Sequence, residues 1–268
     1  MISLRKYNLL KIVSKGALTE NEVKDMKDYV SSQKKSEPTD QAKEYFARLY
    51  EETDDSFNIT YEYLLKKFLI KFKEIERVDF NNGIDDVNFK NLQTILYYFV
   101  KDERFFKCDN LTDISTPSFD KGLLVVGTYG NGKTAMMKTL KHLFNNTPLT
   151  FKMYTTNKIV STFESYQDSA ERNDYLSRVR SGTTYLDDVK TEKIASNYGK
   201  HNLLKEILEE RYNNKSKTFI TCNYKEDDSA QDINTAIKEF GEKYGARVYD
   251  RMFEMFNIIE FNGKSLRK

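Results

Sequence analysis

The chain contains few cysteines and histidines, which argues against a disulfide framework and a zinc site. Its two cysteines, Cys108 and Cys222, do not have CxxC spacing, so reduced structural thiols are the favoured interpretation. The two histidines, His142 and His201, are equally isolated along the sequence. A metal cluster of these residues would require the fold to bring distant positions together, and it is the less favoured alternative.

Long apolar runs are also missing. The longest runs, such as residues 123–126 and 95–100, are far shorter than the roughly 20 residues that span a bilayer. The first six residues, MISLRK, begin neither an apolar stretch of signal-peptide length nor a small-residue cleavage pattern. We therefore expect no membrane anchor and a cytoplasmic protein.

Charge of one sign is not in excess. The 43 Lys and Arg residues nearly balance the 41 Asp and Glu residues, and the net charge is +2. Composition alone therefore does not indicate a nucleic-acid-binding protein, and any DNA contact must be local. With 39% hydrophobic and 31% charged residues, the chain can build a core beneath a charged surface. Its length of 268 residues favours two domains.

The first 110 residues have helical patterns. Thr19 and Glu22 have capping-box spacing and begin a helix to about residue 30, and Thr39 begins a second helix through residue 50. The segment 89–100 predicts a further helix. The clearest periodicity is an apolar stripe that needs a partner surface, which segment 89–100 or, alternatively, another protein would provide. The stripe comprises Tyr61, Leu64, Leu65, Phe68, Leu69, Phe72 and Ile75.

Four lysines occupy other sectors of this striped helix: Lys66, Lys67, Lys71 and Lys73. A solvated face is the favoured interpretation, and contact with DNA phosphates is the alternative. Residues 109–120 are polar and turn-rich. We therefore predict a helical, partner-binding N-terminal domain over residues 1–110, a linker over residues 111–120 and a second domain over residues 121–268.

A phosphate-binding loop follows a short apolar strand at residues 121–127. Residues 127–134 match G-x-x-x-x-G-K-[ST], and a helix can follow. Glycines let backbone N–H groups surround phosphate, and the helix N-terminus adds positive charge. Lys133 is predicted to reach the β- and γ-phosphates and the Thr134 hydroxyl to bind Mg²⁺. A glycine-rich turn that binds nothing is the alternative. The predicted nucleotide-binding residues are Gly127, Gly130, Asn131, Gly132, Lys133, Thr134 and Ala135.

Polar residues end two further predicted strands. Residues 183–188 close with Asp187 and Asp188. One such acid can hold Mg²⁺ while its neighbour orients the attacking water, so we assign the metal to Asp187 and the water to Asp188. Residues 217–223 close with Asn223, which can contact the γ-phosphate at the edge where ligands bind to open α/β sheets. An acidic turn and a turn-forming Asn are the alternatives.

Together, these motifs resemble those of the DnaC/DnaI/IstB group of AAA+ ATPases. Besides the loop, the resemblance rests on residues 186–188 as a Walker B element, residues 206–212, residues 220–223 as sensor 1, and residues 245–251 and 261–267. It implies an α/β fold, a P-loop NTPase AAA+ core with a parallel sheet flanked by helices, after a smaller, mainly α-helical N-terminal domain. The core would lack a full helical lid. The N-terminal third lacks the cysteine cluster of the zinc-binding DnaI domain and carries no resemblance.

The resemblance also implies roles for three arginines. Arg247 and Arg251 align with the arginine-finger region, which acts on the ATP of a neighbouring subunit, and their spacing places them on one helical face. Arg267 resembles a terminal arginine that reads the nucleotide. An ion pair of one of the first two arginines with Asp250 or Glu254 is the alternative interpretation.

The function implied is that of an ATP-dependent helicase loader with ATP and Mg²⁺ as cofactors. It would bind single-stranded DNA, self-associate with ATP at subunit interfaces, and bind a replicative DNA helicase through residues 1–110. The alternative is an IstB-like transposition helper that acts on duplex DNA with a transposase. A nucleotide or small-molecule kinase is disfavoured because no lid insertion is evident. A non-hydrolysing adaptor is a further alternative, since Asp188 stands where many AAA+ proteins have glutamate, although Asp-Asp is the pattern of this group.

Overall fold

A computed structural model of the chain describes residues 59–80, 86–196, 202–224 and 232–266. The helices predicted at residues 19–30 and 39–50 lie outside these residues. The described helices are α1 (Tyr61–Glu76), α2 (Asp86–Phe99), α3 (Lys133–Leu143), α4 (Thr156–Ser165), α5 (Ser169–Arg180), α6 (Leu203–Asn213), α7 (Ile233–Tyr244) and α8 (Ala246–Met255), with a 3₁₀ turn at Glu103–Lys107. The strands are β1 (Gly122–Gly127), β2 (Lys152–Thr155), β3 (Thr184–Val189), β4 (Thr218–Cys222) and β5 (Phe256–Phe261).

The five strands form one parallel sheet in the order β2-β3-β4-β1-β5. In the register, Val126 of β1 lies opposite Cys222 of β4 on one side and Glu260 of β5 on the other. The GLLVVG sequence of β1 is buried throughout, as a central strand of a parallel sheet covered on both faces requires. The predicted α/β fold, with a parallel sheet and flanking helices, is confirmed.

The apolar stripe of α1 is confirmed as the buried face of a helix. Thr60 caps the helix by accepting a hydrogen bond from the Tyr63 amide at 3.3 Å. The helix ends at Arg77, which has a φ of 56°. Long apolar side chains at three- and four-residue intervals therefore point to one side of α1. The stripe residues that are buried are Tyr61, Leu64, Phe68 and Phe72.

The stripe is covered within the molecule, by α2 and by α3. The ring centroids of Tyr61 on α1 and Tyr97 on α2 are 4.6 Å apart, and Gln93 of α2 donates to the Tyr61 hydroxyl at 3.0 Å. Lys138 of α3 forms an ion pair with Glu76 of α1 at 3.0 Å. The prediction that a helix near residues 89–100 covers the stripe is confirmed, and α1 also rests on the helix that follows the phosphate-binding loop.

Two of the four lysines of α1 have acidic partners. Lys71 and Lys73 form ion pairs with Glu74 and Asp79. Such exposed pairs are typical of a solvated helix face and contribute little to stability. Contact of this face with DNA stays a prediction.

Helices α1 and α2 belong to the same compact unit as the sheet, which comprises Thr60–Leu143 and Phe151–Lys268. The segment predicted as a linker runs along β5 within this unit. In it, the Thr112 amide donates to the Ile258 carbonyl at 2.9 Å, and the Ser115 hydroxyl donates to the Phe256 carbonyl at 2.7 Å.

The second unit comprises Met1–Ile59 and Phe144–Thr150. Its described part contains a turn in which the Thr147 amide donates to the Phe144 carbonyl at 3.1 Å. Residues 1–58 lie outside the described part of the chain. A separate N-terminal domain over residues 1–110 stays a prediction.

The cysteines lie in different environments. Cys222 is buried in β4, and burial raises the pKa of its thiol to about 11, whereas Cys108 is half-buried. Among the described residues, no group of three or more His, Cys, Asp or Glu side chains is arranged to hold a metal ion. No helix in that part of the chain is long and apolar enough to cross a membrane.

Candidate functional site

The phosphate-binding loop lies where the sequence predicts it, between β1 and α3. Gly130 and Gly132 have φ angles of 80° and 91°, a region of backbone conformation that glycine adopts without a steric penalty. The Met136 amide donates to the Gly132 carbonyl at 2.9 Å, so helical bonding begins at the end of the loop. The loop therefore leads directly into the first turn of α3, which includes Ala135, and the backbone N–H groups at a helix N-terminus favour an anion.

The Lys133 ammonium group is buried in the loop. Its Nζ donates to the carbonyl oxygens of Gly127 at 2.9 Å and Thr128 at 2.7 Å, and to the side-chain oxygens of Asn131 at 3.2 Å and Asn223 at 3.0 Å. These four acceptors are uncharged oxygens, so they satisfy the hydrogen-bond donors of the ammonium group without neutralising its charge. A phosphate bound in this loop would accept charge-assisted hydrogen bonds from this ammonium group.

Asn131 and Gly127 join the loop to β5. The Asn131 side chain is fully buried and donates from Nδ2 to the Phe261 carbonyl at 2.8 Å. A Cβ at Gly127 would lie 2.6 Å from that same carbonyl oxygen and 2.5 Å from Asn131 Nδ2. Glycine is therefore needed here for close approach of two strands and not for its φ angle.

Thr134 and Asp187, the two residues predicted to serve Mg²⁺, are in direct contact. The Thr134 hydroxyl donates to Asp187 Oδ1 at 2.9 Å. Asp187 is buried, with 5% of its surface exposed, whereas Thr134 is exposed. A hydroxyl oxygen beside a carboxylate suits the hard-oxygen preference of Mg²⁺, and a hydroxyl that donates to the acid keeps its lone pairs for the metal. The residues present therefore fit the ion.

Asp188 and Asn223 form the second predicted pair. Asn223 Nδ2 donates to Asp188 Oδ1 at 3.1 Å, while Asn223 Oδ1 accepts from Lys133 Nζ. Lys133, Asn223 and Asp188 therefore form one hydrogen-bonded chain across the carboxyl ends of β1, β4 and β3. The sequence placed these residues at three strand ends, and the structure brings them together.

The end of β3 differs from the prediction in one respect. The strand continues to Val189 past an irregularity between Leu186 and Val189, instead of ending at the paired acids. Asp188 lies in this irregularity with a φ of 60° and is exposed. Asp187 is buried and the adjacent Asp188 is exposed, as alternation along a strand predicts, and the left-handed backbone of Asp188 accompanies the irregularity that follows.

Two of the three arginines, Arg247 and Arg251, are not joined to this network in the part of the chain that the structure describes. Arg247 is exposed. The Arg251 guanidinium carbon lies 4.4 Å from the centroid of the Tyr212 ring, whose hydroxyl donates to Glu254 at 2.7 Å. In the described part of the chain, an ion pair of Arg251 with Asp250 or Glu254 is not found, and the stacking on Tyr212 takes its place. Arg267 lies outside the described residues.

Sequence reasoning missed two kinds of residue at the site. Tyr185 and Thr221 both place hydroxyls on Asp187. Each lies two residues before a predicted site residue on its strand, and the two-residue period of strands would have identified them as facing the same way. The other kind is the segment after β5, where the Leu266 amide donates to the Gly130 carbonyl at 2.8 Å. The sequence contains no local signal for that contact.

Gly127→Ala is expected to lower nucleotide affinity roughly 10-fold, because overpacking of this kind costs about 1–3 kcal/mol and moves β5 or the loop. The measurement is titration with a fluorescent ATP analogue. Gly241→Ala in α7 is the matched control, since its Cβ would meet the Tyr249 ring at 3.4 Å and no backbone. Equal affinities for the two variants would show that the approach at Gly127 is not important for the loop.

Comparison with known proteins finds solved structures that are similar to this chain but no sequence family that matches it. No protein-family model matches the chain, and no curated protein matches it. Among solved structures, the chain is similar to the DnaC helicase loader, at 21% identity and a TM-score of 0.47, covering 67% of this chain and 93% of that one. It is also similar to DnaI, at 19% identity and a TM-score of 0.45, covering 70% of this chain and 90% of that one. Domain III of the Thermotoga maritima replication initiation protein DnaA has 15% identity and a TM-score of 0.41, covering 67% of this chain and 64% of that one. Because the identities and TM-scores are this low, the fold is assigned from the strand order and the loop geometry, and the function is proposed from the site.

Proposed function

We propose that this chain is an ATP-dependent helicase loader of the DnaC/DnaI type, which binds ATP with Mg²⁺ and hydrolyses it. The observation that carries the ATPase part is the hydrogen-bonded chain from Lys133 through Asn223 to Asp188, beside the Thr134–Asp187 pair. These five side chains lie at the ends of two neighbouring strands, β3 and β4, and at the start of α3. Their convergence at one sheet edge is difficult to explain by a structural role alone.

Each side chain has a separate task in this proposal. Lys133 balances the charge of the β- and γ-phosphates, and Asn223 contacts the γ-phosphate from the neighbouring strand. The exposed carboxylate of Asp188 orients the attacking water, while Asn223 holds that carboxylate in place through Nδ2. Thr134 and Asp187 would hold Mg²⁺, which when bound neutralises charge on the phosphate oxygens.

The loader part of the proposal is supported by the motif resemblance over residues 121–267. The proposal includes binding of single-stranded DNA by the core, self-association with ATP between subunits, and capture of a replicative helicase through residues 1–110. Because the apolar stripe of α1 is covered within the molecule, helicase capture would have to use other surfaces of this region.

Arg247 is our choice for the residue that acts on a neighbouring subunit's ATP. It is exposed, whereas Arg251 is held on the Tyr212 ring of its own chain. Arg247→Ala is expected to lower turnover of the assembled protein by about 10³-fold or more and to spare ATP binding. Arg251→Ala is expected mainly to reduce stability by about 0.5–1 kcal/mol, through loss of the cation–π contact.

Mixing two inactive variants tests this assignment. Lys133→Ala subunits cannot bind ATP but still present Arg247, whereas Arg247→Ala subunits bind ATP without it. Turnover that reappears in the mixture would support action between subunits. A mixture as inactive as its components, or an Arg247→Ala protein as active as wild type, would show that the assignment is wrong.

The first test of the whole proposal is ATP turnover by the purified full chain, with no DNA, with single-stranded DNA and with duplex DNA. It is combined with capture of partners by the full chain, since α1 and α2 pack in the same unit as the sheet. Stimulation by single strands and recovery of a hexameric helicase would support the loader. Preference for duplex DNA and recovery of a transposase would indicate the transposition helper instead, and ATP binding without turnover in any assembly would indicate an adaptor.

A further inference from the structure

The carboxylate of Asp187 is held by three hydroxyl groups on a single oxygen. Thr134 donates to Oδ1 at 2.9 Å, Thr221 donates to it at 2.6 Å, and the Tyr185 hydroxyl donates to it as well. Asp187 Oδ2 accepts no hydrogen bond from the residues that the structure describes. All three donors therefore act on one oxygen, which fixes the rotation of the carboxylate about its own axis.

Two of these hydroxyls come from the sheet itself. Tyr185 lies two residues before Asp187 on β3, and alternation along a strand places both side chains on the same face. Thr221 lies on β4, the neighbouring strand. Its Oγ1 is 2.9 Å from the Tyr185 hydroxyl and accepts from the Asp188 amide at 3.3 Å. This amide leaves the Thr221 proton available for Asp187.

The packing around Tyr185 holds its ring in place. Its side chain is fully buried, and the Phe151 ring packs edge-on against it with centroids 6.3 Å apart. A carboxylate oxygen can only accept, so the Tyr185 hydroxyl is the donor in its contact with Asp187.

A core tyrosine at this position needs no hydroxyl for packing, because phenylalanine would fill the same space. The hydroxyl instead contacts the Asp187 carboxylate and the Thr221 hydroxyl, and so it sets the orientation of the acid. That orientation determines how the acid meets Thr134, the hydroxyl that would hold Mg²⁺. Hydrogen bonds to a metal-site carboxylate typically affect metal affinity or activity by about 10- to 100-fold.

We infer that Tyr185, together with Thr221, is a positioning residue for the Mg²⁺ site, which orients the Asp187 carboxylate toward Thr134. This inference rests on the proposed binding of nucleotide with Mg²⁺. Both residues act through Asp187, since their hydroxyls donate to its carboxylate.

Metal binding can be measured separately from turnover. The full-length protein is titrated with Mn²⁺ in the presence of ADP, and free Mn²⁺ is followed by electron paramagnetic resonance. Affinity for a fluorescent ADP analogue is measured with Mg²⁺ and with EDTA. Tyr185→Phe and Thr221→Val are expected to weaken Mn²⁺ binding about 10- to 100-fold and to leave the affinity measured in EDTA unchanged.

Two further variants serve as controls. Thr221→Ser keeps the hydroxyl and is expected to bind Mn²⁺ nearly as wild type does. Tyr98→Phe removes a different buried tyrosine hydroxyl, which donates to the Lys121 carbonyl at 2.6 Å away from the site. It is expected to leave Mn²⁺ binding unchanged, although it costs stability.

The outcomes separate the inference from the function on which it rests. If wild-type protein gains no nucleotide affinity from Mg²⁺, both the proposed function and the positioning role are wrong. If wild type shows the gain and Tyr185→Phe retains it in full, only the positioning role is wrong. Equal losses with Mg²⁺ and with EDTA in Tyr185→Phe would likewise overturn the role, because they would indicate a general structural defect.

Discussion

Lys133→Ala is expected to lower the affinity for ATP about 100-fold or more without unfolding the protein. A hydrogen bond to a charged group contributes about 1.5–3 kcal/mol, and this ammonium group would make such contacts with two phosphates. Lys133 Nζ also donates to neutral oxygens of the loop, Asn131 and Asn223. Its removal takes the donor from those oxygens, so the thermal midpoint should fall as well, and the affinities are compared at a temperature at which both proteins are folded.

The measurement is titration with a fluorescent ATP analogue, with circular dichroism as a check on folding. Lys141→Ala is the matched control, because Lys141 lies on the same helix, about two turns beyond the loop. It should bind ATP as wild type does. If Lys133→Ala bound as tightly as Lys141→Ala, the phosphates would have to bind elsewhere, and the proposed site would be wrong.

The loop could be predicted because its signal is local. Strand, glycine-rich turn and helix follow one another without a break, and the residues predicted to bind phosphate are neighbours in the chain. To predict that Asp187 and Asn223 lie at the same site, one additional rule was needed: the carboxyl ends of parallel strands meet at one edge of the sheet. The strand order bears this rule out, since β4 lies between β1 and β3.

Contacts that depend on register or on distant segments could not be predicted in this way. Thr221 faces Asp187 only because of how β3 and β4 are aligned near the irregularity after Leu186. The bond from the Leu266 amide to the Gly130 carbonyl joins the loop to a segment that follows the last strand. The periodicity of α1 predicts that its apolar stripe packs against another surface, but it does not indicate that α3 provides part of that surface.

Arg211 is the clearest case of a role hidden from the sequence. It lies on α6 among charged residues, yet none of its surface is exposed. Burial lowers the pKa of its guanidinium group to about 10. All five of its N–H donors are used, and the acceptors are the Thr218 and Thr184 hydroxyls and the carbonyls of Val179, Gly182 and Lys217.

Arg211→Met is expected to lower the free energy of unfolding by about 3–5 kcal/mol, the largest stability effect predicted for this chain. Methionine keeps the apolar stem but removes all five hydrogen bonds of the guanidinium group near the starts of β3 and β4, each contributing about 0.5–1.5 kcal/mol, although the Lys217 carbonyl keeps its bond from the Thr184 amide at 3.1 Å. The measurement is urea unfolding. Arg178→Met is the matched control, because Arg178 is 57% exposed and pairs with Asp174, and its change should stay within about 0.5 kcal/mol.

Substitution of Arg211 has two opposing effects on stability: it removes a desolvated charge, and it removes the hydrogen bonds to the acceptors. The loss of the hydrogen bonds is expected to be the larger effect. Replacing a buried ion pair by apolar residues is often neutral or stabilising, because both desolvated charges disappear together. Among the described residues, no carboxylate pairs with Arg211, so the substitution does not replace an ion pair. The carbonyl acceptors are backbone atoms, and they are therefore still present in every variant. Arg211→Lys should therefore recover only part of the loss, since an ammonium group has three donors and cannot match the planar fork. An Arg211→Met protein as stable as Arg178→Met would mean that water satisfies those carbonyls, and that the buried guanidinium is not what holds the starts of β3 and β4 together.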